Sequence, residues 1–397
     1  MKAKSLALIA LCQVLALSSW FAGAAALPAL QAAADLGPFA RAALSSSVQI
    51  GFVAGALFSA GLGLSDRFDP RRVFAAGAGL AALTTLAVIV TPPGSLAMAG
   101  LRLMTGASLA LVYPVGMKLA ASWAKGDAGL LIGLLVGALT LGSALPHLFA
   151  LNGAGVNWRT PFVWAAGLSA VSAGTIGLCQ AGPAFVRATA FHPRAFVLAI
   201  RRRDLRYANL GYLGHMWELY AFWAWAGAFL LAYFQTRALP TGAIGGLTFA
   251  IVASGALGAL GAGWLADRVG RTPVAAGAML VSGSCALLTG LAWPLGPAVM
   301  VALLLVYGVS VIADSAQFSA AIAELAPRDL AGSLLTLQTA LGFALTAVSV
   351  QALPYWVGVT GWQFAFAPLA IGPAIGVWAM LRLRRHPNAS QLAGGRG

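Results

Sequence analysis

Charge is what this sequence has least of. Only 9% of its 397 residues are Asp, Glu, Lys or Arg, and only 10 of those are acidic. A soluble domain clothes itself in about a quarter charged residues, so a water-exposed globule is excluded and most of the surface must face lipid. No long hydrophilic stretch is present either, which removes a receptor or scaffold built around a soluble region. Cysteine is scarce. Cys12, Cys179 and Cys285 each sit in an apolar run, with no CxxC and no Cys/His ligand spacing, so a disulfide framework and a metal site are not expected. No G-x-x-x-x-G-K-S/T, no HExxH and no loop large enough for a catalytic domain occurs, so the chain reads as a non-enzyme without a cofactor. The net charge of +14 does not signal nucleic acid, because that needs a basic patch on a soluble face. Here the basic residues fall in short loops.

What is present is apolar length. Hydrophobic residues make up 60% of the chain, with mean hydropathy +0.86. A helix needs about 20 apolar residues to cross a bilayer, because its backbone groups must be satisfied internally. Such runs recur near 5–29, 42–64, 73–93, 97–121, 128–150 and 161–181, and again near 208–234, 241–265, 273–292, 297–322, 330–353 and 362–381. Lys2 and Lys4 before an apolar run resemble a signal peptide, but further spans follow at once, so residues 5–29 read as an uncleaved first helix. With both termini inside, 20 Lys and Arg fall on the inner side and only Arg41, Arg159 and Arg237 on the outer. The positive-inside rule then places both termini in the cytoplasm of a multi-pass inner-membrane protein.

The halves repeat. Leu64-Ser65-Asp66-Arg67 is echoed by Leu265-Ala266-Asp267-Arg268, 201 residues on; Gly129 by Gly332, 203 on; Trp158 by Trp362, 204 on. The expected fold is therefore all-α, with 12 transmembrane helices in two pseudo-twofold-related six-helix bundles. Residues 1–181 form the first bundle, 182–207 a cytoplasmic linker around Arg201-Arg202-Arg203-Asp204, 208–381 the second bundle and 382–397 a cytoplasmic tail. A doubled unit predicts a cavity between the repeats near mid-membrane.

Gly263-Trp264-Leu265-Ala266-Asp267-Arg268-Val269-Gly270-Arg271 resembles the loop signature G-x-L-A-D-R-x-G-R of the major facilitator superfamily of secondary transporters. The first-half copy, Leu62 to Arg72, departs at Leu62 and Asp69 but keeps Asp66-Arg67 and the basic pair Arg71-Arg72. Arg102-Leu103-Met104-Thr105-Gly106 is similar to the family's R-x-x-x-G motif, whereas the antiporter core G-P-x-x-G-G is not reproduced in the fifth span. The resemblance implies that Asp66, Arg67, Arg71, Gly263, Asp267, Arg268 and Arg271 belong to a gate. A carboxylate docked on a helix N-terminus would latch the halves: Asp66 against the start of the eleventh span, Asp267 against the start of the fifth.

Three ionisable side chains lie deep in the predicted spans: Arg102, Glu218 and Asp314. Each costs about 2.5–3.5 kcal/mol in hydrocarbon even on the lenient insertion scale, so each must face protein or water. Glu218, with His215 one turn earlier on the same face, and Asp314 are the candidates for proton coupling. Arg102 either holds an anionic substrate or neutralises a carboxylate, Asp314 being one choice. Trp20, Gln13, Tyr220, Gln317 and Gln338 are the remaining substrate-binding candidates. His147, beside Pro146 near the outer end of the fifth span, reads as a satisfied structural group. The expected function is proton-coupled secondary transport of a small organic solute or anion by a monomer whose halves rock, with partners limited to solute, protons and lipid. A drug or metabolite efflux antiporter is the alternative, and a passive channel is the weaker one.

Overall fold

The structure is a computed structural model that describes residues 1–124, 128–150, 157–183, 194–327 and 330–397; all regular structure among them is helical. Eleven stretches are long and apolar enough to cross a membrane: Lys2–Ala33, Pro38–Leu62, Pro70–Val90, Leu96–Ala121, Leu130–Phe149, Thr160–Leu178, Ile244–Val269, Arg271–Ala292, Pro297–Leu325, Ala331–Thr360 and Trp362–Arg384. The helix Arg203–Gln235 completes twelve crossings, as the seventh span. It is less apolar than the others because it carries Arg203, Asp204, Arg206, Asn209, His215 and Glu218. Even so, 22 of its 33 residues are buried. Protein, not lipid, surrounds it, which is why Trp217, Tyr220, Phe222, Trp223 and Trp225 can go right round one helix. It begins at Arg203, so the predicted linker is shorter than expected and contains a helix of its own, Arg194–Arg201.

Among the described residues three spans are broken into two α-helices each. The first is Lys2–Leu17 followed by Ala22–Ala33, the fourth Leu96–Leu109 followed by Tyr113–Ala121, and the tenth Pro297–Ser310 followed by Ser315–Leu325. In the fourth, Pro114 has no N–H to donate, so the helix restarts there. The breaks of the fourth and tenth spans lie 201 and 202 residues apart at their two edges, matching the sequence repeat. Glycines repeat with them. A Cβ on Gly106 would overlap the Val48 carbonyl, and one on Gly308 the Ile251 carbonyl, so each half packs a pair of helices backbone against backbone.

Among the described residues the two six-helix bundles meet where the first span packs on the seventh, the second on the eleventh, and the fifth on the eighth and tenth. Gly133 and Gly137 of the fifth span face Ala259 and Ala256 of the eighth. Ser46 of the second span donates to Gln351 of the eleventh at 3.0 Å. An even number of crossings leaves both termini on one face, called here the terminal face; the other is the far face.

Candidate functional site

At the far face the first, fifth, seventh and eighth spans diverge around a cavity of about 820 Å³. It is lined by small and apolar residues, Ala24 to Ala33 of the first span and Gly227 and Leu231 of the seventh among them, together with His147, Gln235, Thr241 and Thr248. None of the six predicted substrate residues lies on this wall. Two of them form the layer directly beneath it. The Trp20 ring lies tilted 5.7 Å from Tyr220 and 5.3 Å from Phe343, Phe21 meets Trp223 edge-on at 5.9 Å, and Phe52 meets Phe343 at 4.4 Å. Trp20, Phe21 and Phe52 belong to one half; Tyr220, Trp223 and Phe343 belong to the other. This floor is fully buried, and the indole N–H groups of Trp20 and Trp223 have no partner in it.

Arg102 is settled by the broken first span. A helix break frees carbonyls that cost several kcal/mol each in an apolar medium if left bare. Arg102 Nη1 donates to Ser19 O at 2.9 Å, Nη2 to Trp20 O at 2.5 Å and Nε to Leu44 O at 3.1 Å. Three of its five N–H donors therefore rest on backbone carbonyls, which makes Arg102 a clamp on the break.

The second half holds the remaining buried ions, and they do not pair as their shared helix face suggested. His215 turns away from Glu218, with Nδ1 2.7 Å from Oδ1 of Asp314 at the break in the tenth span. Both are essentially inaccessible, and His215 Nε2 has no partner among the described residues. Tyr212 and Phe318 lie beside the imidazole. Glu218 instead accepts from Ser282 Oγ of the ninth span at 2.7 Å, and its Oε1 is buried without a hydrogen-bond partner among the described residues. Two carboxylates thus sit in one half, one against an imidazole, the other against a hydroxyl.

Below the floor Gln13 donates to Leu135 O at 3.0 Å and Gln338 to Asn209 Oδ1 at 3.2 Å, each joining helices rather than lining a chamber. Gln317 is displaced from its expected place: it accepts from Arg271 Nη1 at 3.3 Å, because the helix after the tenth-span break carries it toward the terminal face. There Arg271 also grips Glu324 through two bonds of 2.6 and 2.8 Å, and Glu324 accepts the Ala393 N–H at 3.0 Å. Arg396 donates to the Asp267 carbonyl, and Thr272 donates its hydroxyl to Gly397 O at 3.1 Å. The predicted tail is thereby folded onto the second loop motif, over Gly270, whose φ of +109° only glycine takes easily. Asp267 lies 3.7 Å from Arg271, and Arg268 stacks over Trp264. Gly263 is buried in the eighth span. In the first copy Arg71 folds back on Asp69, which caps the third span, and reaches Cys179 O at 3.3 Å; Arg67 closes the short helix Leu64–Arg67. The side chain of Asp66, the start of the fifth span and Asp329 lie outside the described residues, so neither predicted latch can be placed.

The sequence profile of the Major Facilitator Superfamily matches residues 9–236. The chain belongs to this superfamily. Among solved structures, a D-xylose–proton symporter is similar at a TM-score of 0.75 and 16% identity, covering 98% of this chain and 99% of that one. The xylose transporter XylE from E. coli in a partially occluded inward-open conformation follows at 0.74 and 14%, covering 97% and 99%. The nucleoside transporter NupG (D323A mutant) is similar at 0.70 and 15%, covering 96% and 100%. No curated protein matches the chain in sequence.

These likenesses establish a superfamily transporter fold spanning the membrane many times. Within it, several residues that position the site escaped the sequence reading. Ser282, Phe52, Phe343 and Glu324 are ordinary by type, and nothing in their spacing marks them. The span breaks carried one usable signal, the Tyr113-Pro114 step. His147, expected to be a satisfied structural group, instead has its Nε2 buried on the cavity wall with no partner among the described residues.

Proposed function

We propose that this protein is a proton-coupled secondary transporter of a small organic solute. In this reading it sits in the inner membrane with both termini cytoplasmic and works by rocking its two six-helix halves about the floor of aromatics. The observation that carries it is the cavity between the halves, open at the far face and sealed beneath by Trp20, Tyr220 and Phe343 from both bundles. A chamber closed on one side by residues from both halves opens to the other side once those halves tilt. The broken first, fourth and tenth spans give the short segments such motion needs. The 20-to-3 excess of basic residues supports the orientation.

Asp314 with His215, and Glu218 with Ser282, are the groups we assign to proton coupling. A carboxylate held in a dry bundle without a guanidinium or ammonium against it is costly to keep charged. Taking up a proton when water reaches it, and releasing it on the other side, converts that cost into coupling. That a xylose–proton symporter shares the fold supports the same reading. Counterflow in proteoliposomes tests the carrier: a saturable exchange is expected, and a flux that never saturates would mean a channel. Glu218→Gln is expected to abolish uptake driven by a pH gradient while sparing exchange; pH-driven uptake equal to the parent's would remove Glu218 from the coupling.

A further inference from the structure

The cavity wall has a chemistry of its own. No Asp, Glu, Lys or Arg lines it. Its surface is mainly alanine methyls of the first span, with Leu231 and Ile244 opposite, and the Thr248 hydroxyl is already spent on Ile244 O at 2.8 Å. A polyol seated here would give up water for few partners. An ammonium would find no carboxylate to meet it.

Gln235 and Thr241 are exposed at the opening, so against this wall stands one buried unsatisfied group among the described residues. His147 is 4% exposed, and its Nε2 is buried with no partner among the described residues. Its ring reaches from the fifth span of one half to within 4.0 Å of where a Cβ would stand on Gly227 of the other. A buried nitrogen left unpaired is a standing cost that a ligand group can remove. The face onto which the cavity opens adds a sign. The far face carries Arg41, Arg159 and Arg237 against the single carboxylate of Asp35. A surplus of that kind draws anions toward the opening.

We propose that the cavity binds an apolar organic acid with a single carboxyl group, and that His147 Nε2 is the atom that meets the carboxyl. The assignment rests on the transport reading above but is separable from it. A mainly apolar wall, one buried unpaired nitrogen and a far face with a surplus of arginine together select a molecule that is greasy along most of its length and acidic at one end.

The test uses the full chain in lipid nanodiscs with phenylacetate as probe, and phenethylamine, phenethyl alcohol and xylose as comparators, by titration calorimetry. Phenylacetate is expected to bind, the alcohol about tenfold more weakly, and the amine and sugar not measurably. His147→Gln, close in size, is expected to weaken phenylacetate by about tenfold or more with the melting temperature kept. Should that variant not fold, Ala29→Phe, which fills the cavity from the opposite wall, is expected to abolish binding. Unchanged affinity in the folded His147→Gln protein, unchanged binding in Ala29→Phe, or tighter binding of the amine or the sugar would overturn the assignment. Counterflow separates the two readings: exchange of another solute without phenylacetate binding defeats only the acid, and phenylacetate binding without any exchange defeats only the carrier.

Discussion

The two halves of the molecule share a fold, a repeat offset and a broken helix, yet they use their buried ions in opposite ways. In the first half Arg102 places three of its five N–H donors on backbone carbonyls, and His147 stands apart from it on the cavity wall. In the second half the interior ions are His215, Glu218 and Asp314, whose contacts are few and side chain to side chain. The repeat makes the contrast concrete. At the offset of 202, Arg102 corresponds to Leu304 and Asp314 to Val112, both buried aliphatics. The break of the fourth span recurs in the tenth. The first-span break that Arg102 clamps has no counterpart in the continuous seventh span, and the buried ions do not recur either. One bundle sets its charge against backbone at a helix break, and the other sets its carboxylates against an imidazole and a hydroxyl.

The sharpest way to break that comparison is to remove Arg102. Arg102→Met keeps bulk but strands the carbonyls of Ser19, Trp20 and Leu44, each an orphaned buried acceptor worth about 1–3 kcal/mol. Loss of a monodisperse, cooperatively melting protein is expected, read by fluorescence-detected gel filtration. A well-folded variant that merely lost transport would move Arg102 into the second category. Next in size, Asp314→Asn is expected to fold and exchange solute normally while pH-driven uptake falls by about tenfold or more. Proton-driven uptake at the parent's rate in that variant would leave His215 and Asp314 as structure only.

A smaller effect is expected at the seam between the halves. Gln351 accepts from Ser46 and donates to Phe39 O at 3.4 Å, tying the eleventh span to the second near the far face. Gln351→Ala removes about 1 kcal/mol of such bonding, enough for a severalfold shift toward states more open at the far face. Spin-label distances across that seam should lengthen, and an unchanged distribution would show that the seam does not bear on the access equilibrium.

Much of this was legible in the sequence because lipid leaves so few choices. Apolar length sets the spans, basic loops mark the faces, and a motif recurring near 202 residues announces two bundles. The buried ions were findable for the same reason, since a charge in an apolar run must have a purpose. Their partners were not. His215 and Glu218 share a helix face by spacing, but the break in the tenth span brings Asp314 to the histidine, and a break costs nothing visible in composition. The cavity was hidden by its plainness. Alanine and glycine signal packing as readily as empty space, and only the divergence of four helices decides which.

The least of the expected effects isolates one letter of the repeat. Where the second loop motif has Gly270, whose φ of +109° lets Arg271 leave the loop and reach Glu324, the first has Asp69. Asp69 accepts the Arg71 N–H at 2.9 Å as cap of the third span and holds the Arg71 guanidinium at 2.7 Å, so this arginine stays at home. The hydrogen bond from Arg71, against a smaller cost of burial, holds the Asp69 carboxyl below its ordinary range. A lowered carboxylate stabilises the fold above its unfolded value near pH 4 and loses that contribution as pH falls through the lowered one. Asp69→Ala should therefore cost about 1 kcal/mol at pH 7, mostly as a lost cap, and the gap to the parent should narrow in acid. Asp69→Asn, which still caps, should cost only a few tenths, because the pair with Arg71 is partly exposed. Thermal melts of the three proteins at pH 7 and in acid would decide it: equal losses in Asn and Ala would mean that the first loop, like the second, is held by charge and not by its helix cap.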